Sequence, residues 1–94
     1  GDMWVAPLSC AGFQNSRVSV GRYARVTPGL PNRLRSIAST SGFALALIPS
    51  GARVDVIGGP ICNENSAWWQ VNYAGNIGWT MEGQAGQYWL EPAS

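Results

Sequence analysis

Histidine and lysine are both absent from this chain, acids number only five, and charged residues make up just 12% of the sequence. Each shortage removes a class of chemistry. Without histidine there is no imidazole to act as a base near neutral pH, and the commonest metal ligand is gone. Ser9, Ser36 and Ser39 therefore have no evident base to activate them. Without lysine or a following helix start, Gly58-Gly59-Pro60 and Gly83-Gln84-Ala85-Gly86 do not read as phosphate loops. No carboxylate stands close in sequence to another, so Glu64 and Glu82 could form an acid pair only by meeting across the fold. Cysteine is limited to two, too few for a four-ligand zinc site when no histidine can complete it. No apolar run approaches the ~20 residues that a membrane helix needs. The expectation is a protein that is not an enzyme, holds no cofactor or metal, and does not insert in a membrane.

What the chain does contain points to a small β domain. Its 94 residues are 46% apolar, enough for one modest core, while 12 glycines and 6 prolines divide it into short elements. Cys10 and Cys62 read best as a disulfide, a common staple in small domains, which places the protein in an oxidising, extracytoplasmic setting: periplasm, cell surface or medium. The alternative is a pair of buried thiols in a cytosolic protein. The six arginines all lie between Arg17 and Arg53, and Asp55, Glu64, Glu82 and Glu91 follow them. Folding can interleave the two groups so that they neutralise each other, or it can leave an arginine face for an anionic polymer. Six basic residues against five acids are too few to suggest a nucleic-acid partner.

Period-two alternation locates the strands. Residues 1–20 carry no sustained pattern and read as an irregular arm held by Cys10, leaving 21–94 as the folded barrel. In Gly21–Thr27, Ala24 and Val26 share one face; TPGLPN (27–32) is turn chemistry, and LRSIASTSG reads as a long loop. FALALI (43–48) is a strand, with Leu45 expected in the core beside Val26, Val54, Val56 and Val71. RVDVIGG (53–59) follows, with Pro60 expected to mark an edge or a strand exit. AWWQVNY sets Trp69, Val71 and Tyr73 on one face and Trp68, Gln70 and Asn72 on the other; Ala74-Gly75-Asn76 then turns the chain into Ile77 and Trp79. QYWLEP (87–92) closes a set of five or six short strands, the signature of an all-β barrel.

Taken in order, GRYARV, NRLRS, LIPSGARVDVIGGPIC, WWQV, GNIGW and YWL resemble the bacterial SH3-like domain family over about residues 21–92. The family's Leu-Asn-Val-Arg-type motif stands here as Asn32-Arg33-Leu34-Arg35-Ser36, with an arginine inserted between asparagine and leucine, and EGQAG (82–86) lengthens the last loop. The resemblance implies an SH3-like barrel without catalytic activity. It also implies a secreted or envelope accessory module that binds a peptidoglycan peptide or other cell-envelope polymer, or else an extended or proline-rich protein segment, beside a possible neighbouring domain. A structural or oligomerising domain with tryptophans in a subunit interface is a third reading. The Trp68–Trp69 pair resembles the paired tryptophans of eukaryotic SH3 domains, one lining the peptide groove and one packing behind it, and Tyr88 resembles the groove tyrosine.

Five tryptophans exceed what so small a core can hold, so one or two are expected at the surface, either as ligand contacts or as caps on the barrel ends. Trp68 is the leading ligand-binding candidate, with Tyr23 and Tyr88 beside it; Trp69 and Trp89 are assigned to packing, and Trp79 is left unplaced. On this reading Trp68→Ala spares stability and Trp69→Ala does not. Arg33 and Arg35 flank Leu34 and should point outward together if Leu34 is buried, free to hold a carboxylate or phosphate through paired hydrogen bonds. The competing use for them is hydrogen bonding to carbonyls of their own loop.

Overall fold

The alternating tracts do become strands in the computed structural model, which describes residues 10–84 and 86–94. In chain order they are β1 (Tyr23–Val26), β2 (Asn32–Arg35), β3 (Ala44–Ile48), β4 (Arg53–Asn63), β5 (Ser66–Tyr73), β6 (Asn76–Met81), β7 (Gly83–Gln84), β8 (Gln87–Tyr88) and β9 (Leu90–Ala93). No helix occurs among the described residues. Seven strands form one sheet in the order β3-β2-β6-β5-β4-β1-β9, with antiparallel pairing throughout, and the short β7–β8 hairpin stands apart. The protein is thus all-β, a curled antiparallel half-barrel. Residues 1–9 of the expected arm, including Trp4, lie outside the described residues, as does Ala85 of the lengthened loop.

Register decides what faces the core. Val56 lies opposite Val71, Val71 opposite Gly78, and Trp69 opposite Thr80, so these five residues share the inner face. There they meet Ala24, Val26, Leu34, Ile48, Val54 and Leu90, all buried, as the alternation in their strands requires. Gly78 has no room for a side chain, because an added Cβ would stand 2.7 Å from the Arg35 carbonyl and 2.9 Å from Leu34 Cγ. The β5–β6 turn is a two-residue loop, Ala74–Gly75, with both residues at positive φ (50° and 87°), which matches the twist of a tight hairpin.

Three sequence expectations need correction. Leu45 is not core: it lies on an edge strand, where a register shift against β2 breaks the alternation, and it is 48% exposed. Its neighbours Ala46 and Ile48 take the inward positions instead. Pro60 does not end its strand. β4 continues through it to Asn63, although Pro60 does stand on an edge stretch that pairs only with β5, and the register shift between Gly58 and Ile61 leaves Gly59 and Pro60 between paired residues, where no ladder N–H is required of proline. Part of the expected loop after position 32 is strand. Asn32 is buried and donates from Nδ2 to Thr80 Oγ1 (3.2 Å) and to the Met81 carbonyl (3.1 Å), which ties β2 to β6 beyond their single paired position.

The arm is built into the fold. Cys10 is bonded to Cys62 with Cα atoms 5.3 Å apart, as the cysteine count suggested, and Cys10, Phe13 and Val18 are buried with the core.

Candidate functional site

An open groove of about 1130 Å³ crosses the molecule between the 27–31 turn, the outer face of the sheet and the β7–β8 hairpin. Its walls are held from several directions. Thr27 donates from N to the Trp89 carbonyl (2.9 Å) and from Oγ1 to the Tyr88 carbonyl (3.2 Å), fixing the proline-rich turn against β8 and β9. Ser50 bridges the other side, donating to the Thr27 carbonyl and accepting from the Gly29 amide. Pro28 and Pro31 stiffen the turn further and present an apolar wall with Leu30.

Four of the five candidate ligand residues line this groove: Trp68, Tyr88, Arg33 and Arg35. Their states differ from expectation in instructive ways. Trp68 does face away from the core, as parity predicts, but it is only 1% exposed. Its Nε1 donates to the Asn63 carbonyl (3.1 Å) in the β4–β5 turn, and the 36–42 loop is clasped to that same turn. Thr40 donates its amide to Glu64 Oε1 (2.8 Å) and its hydroxyl to Glu64 Oε2, while Asn63 Nδ2 donates to the Ala38 carbonyl (2.9 Å). Trp68 is therefore buried beside this clasp, outside the main core. It forms the groove's floor and is not an exposed platform. Alternation could show which face it takes but not that a loop closes over it.

Tyr88 is half-buried and already engaged by the arm. Its hydroxyl donates to the Asn15 carbonyl, the Arg17 guanidinium sits 3.8 Å from its ring centroid, and Phe13 meets it edge-on at 5.9 Å. Tyr23 is exposed but lies away from the groove on β1, stacked under Arg53 at 4.3 Å. Leu34 is fully buried and both flanking arginines point outward, as expected. Their roles then separate. Arg35 donates from Nη1 to the Gly42 carbonyl (3.0 Å), the loop-bracing use, whereas Arg33 is exposed and its guanidinium has no hydrogen bond or ion pair among the described residues.

Mutual neutralisation of the segregated charges is limited. Arg25 and Glu91 form an ion pair at 2.6 Å, the one present among the described residues. Arg17 and Arg53 are spent instead on aromatic faces and backbone carbonyls. Glu64 is exposed and its carboxyl is held below the ordinary value of 4.5, first by the Thr40 hydroxyl, then by the Thr40 amide, with the Arg35 charge adding to both.

Two residues escaped the sequence reading. Trp89, assigned to packing, is partly exposed and lines the groove beside Tyr88. Glu82 is fully buried. Its Oε1 accepts from Trp69 Nε1 (2.8 Å) and its Oε2 from the Arg17 amide (2.7 Å), while its backbone carbonyl accepts from the amides of Trp89 and Leu90. It joins the core tryptophan, the arm and the last strand at one point. Glu64 and Glu82 therefore do not make an acid pair, since one is exposed on a turn and the other sealed beneath the arm. Trp79, unplaced by sequence, is half-buried on the outer face, where its ring lies over Gly59. Comparison of the chain with protein-family models, with curated proteins and with solved structures found no match.

Proposed function

We propose that this domain is a non-catalytic, SH3-like binding module of an extracytoplasmic protein, and that its groove takes an extended, carboxylate-bearing peptide of the cell envelope such as a peptidoglycan stem. The observation that carries this is Arg33: an exposed guanidinium without a hydrogen-bond or ion-pair partner among the described residues, in a groove also lined by Leu30, Pro28 and Pro31. A guanidinium offers two parallel donors to a carboxylate, and apolar walls suit a peptide's aliphatic side chains. The groove's open shape favours a chain lying along it over a small molecule enclosed by it.

The strand order supports the SH3-like reading. β4 spans eleven residues, pairs with β1 at its start and with β5 along its length, and bends at its register shifts, so one strand serves both halves of the curl. The disulfide supports the compartment, because such a bond persists where thiols are not kept reduced. Binding measured by titration with soluble peptidoglycan fragments tests the reading. Arg33→Ala should weaken binding at least tenfold, about 1.4 kcal/mol, with the melting temperature unchanged. Fragments amidated at their free carboxyls should bind no better to the parent than unmodified fragments bind to Arg33→Ala. Equal binding by parent and variant would remove the groove from consideration. Binding to an unrelated proline-rich peptide, with none to wall fragments, would favour a protein partner.

A further inference from the structure

The groove holds an acid as well as arginines, and no ion pair neutralises it. Of the acids among the described residues, Glu91 is paired with Arg25, Glu82 is buried, and Asp55 stands opposite Tyr23, away from the groove. Glu64 lines the groove with Arg33, is exposed, and forms no ion pair among the described residues. It is nonetheless fixed in place. Thr40 gives one hydrogen bond to each of its carboxylate oxygens, and Gln84 Nε2 donates to its backbone carbonyl (3.4 Å). A carboxylate offers about four acceptor sites, so each oxygen keeps room for a donor arriving from solvent. Turn chemistry does not call for glutamate here. Glu64 sits at φ 53° in a two-residue hairpin turn, where asparagine, aspartate or glycine is the usual occupant.

We infer that Glu64 receives an ammonium group of the bound peptide, so that the groove selects a chain carrying a free amine as well as a free carboxylate. This rests on the groove being the peptide site, with Arg33 holding the carboxylate. Strand order sets how far apart the two charges must be. β6 lies between β2 and β5, so Arg33 on β2 stands two strand spacings, about 10 Å, from β5, and Glu64 lies in the turn that leads into β5. At ~3.3 Å per residue, an extended chain covers that gap and the offset along the strand with about three or four residues. Arg35 lines the groove too, but it braces the Gly42 carbonyl and forms no ion pair with Glu64. The Thr40 hydroxyl, the Thr40 amide and the Arg35 charge all hold the Glu64 carboxyl below its ordinary value, so it is ionised wherever an amine is protonated near neutral pH.

Titration with three probes reads this: soluble peptidoglycan fragments bearing a free side-chain amine, the same fragments acetylated on that amine, and the same fragments amidated on their carboxyls. Each is titrated into the parent and into Glu64→Gln. Glutamine can still accept from the Thr40 amide, so retained exchange protection of that amide shows that the clasp survives the substitution. Acetylation should weaken binding to the parent by about tenfold or more, as loss of a hydrogen bond between charged groups does. Glu64→Gln should bind the free-amine fragments as weakly as the parent binds the acetylated ones, and acetylation should then make no further difference. If acetylation leaves parental binding unchanged while amidation weakens it, the inference is overturned and the carboxylate reading stands. If Glu64→Gln weakens free and acetylated fragments equally, the residue only holds its loop and the inference is again overturned. Fragments indifferent to both modifications overturn it together with the reading of the groove.

Discussion

Substitution of Glu82 tests whether the arm is part of the fold or an appendage to it. The buried carboxylate accepts two hydrogen bonds, from the Trp69 indole and from the Arg17 amide, and both donors are neutral. Glu82→Gln keeps the shape but turns one acceptor into an NH2 group, so one donor faces another donor. A buried donor left unsatisfied costs about 1–3 kcal/mol. Relief of the desolvation that the carboxylate suffers works the other way and keeps the loss toward the low end of that range. Glu82→Ala strands both donors and leaves a void, for a loss of about 3–6 kcal/mol, much of the ~5–15 kcal/mol that holds a domain together. Urea denaturation with a slope near ~1 kcal/mol/M should therefore move the midpoint down by about 1–2 M for Gln, and leave Ala partly unfolded without denaturant. Amide exchange supplies the local readout: in Glu82→Gln the Arg17 amide or the Trp69 indole N–H should lose protection while β5 amides elsewhere keep theirs. A glutamine variant within ~0.5 kcal/mol of the parent, with Arg17 still protected, would show that the carboxylate does not anchor the arm.

Four further outcomes follow from particular contacts. Trp68→Ala should lower stability by about 3–5 kcal/mol in thermal or chemical denaturation, as for any large buried aromatic, which reverses the expectation from alternation alone. Ala74→Gly should raise stability by about 0.5–1 kcal/mol, read as a higher melting temperature, because Ala74 sits at φ 50° where only glycine is unstrained. Replacing Cys10 and Cys62 together by alanine opens a loop of 52 residues and should cost about 4 kcal/mol of chain entropy, measured as a lower urea midpoint that reducing agent also produces in the parent. The Glu64 clasp should be sensitive to acid. Its folded carboxyl titrates lower than its unfolded one, so its stabilisation is complete above the ordinary value of 4.5 and is lost as pH falls through the folded value. Exchange protection of the Thr40 amide should fall in that acid range, and Glu64→Gln should abolish the pH dependence.

Much of this protein was legible in its sequence. Alternation alone put Trp69, Val71, Val54, Val56 and Val26 on the buried face, because a strand's side chains must take opposite sides in turn. The same rule turned Arg33 and Arg35 outward once Leu34 was buried, and two cysteines in a small chain foretold their bond. Only the tertiary structure decided the rest, since it depends on partners distant in sequence. Trp68 is covered because residues 24 and 25 positions apart close a loop over its face. Leu45 is exposed because β3 happens to end the sheet, a fact of topology that no local pattern carries. Glu82 reads as an ordinary surface acid until the arm, 65 residues earlier, delivers an amide to it. Periodicity determines which way a side chain points; what it finds there is determined by the fold.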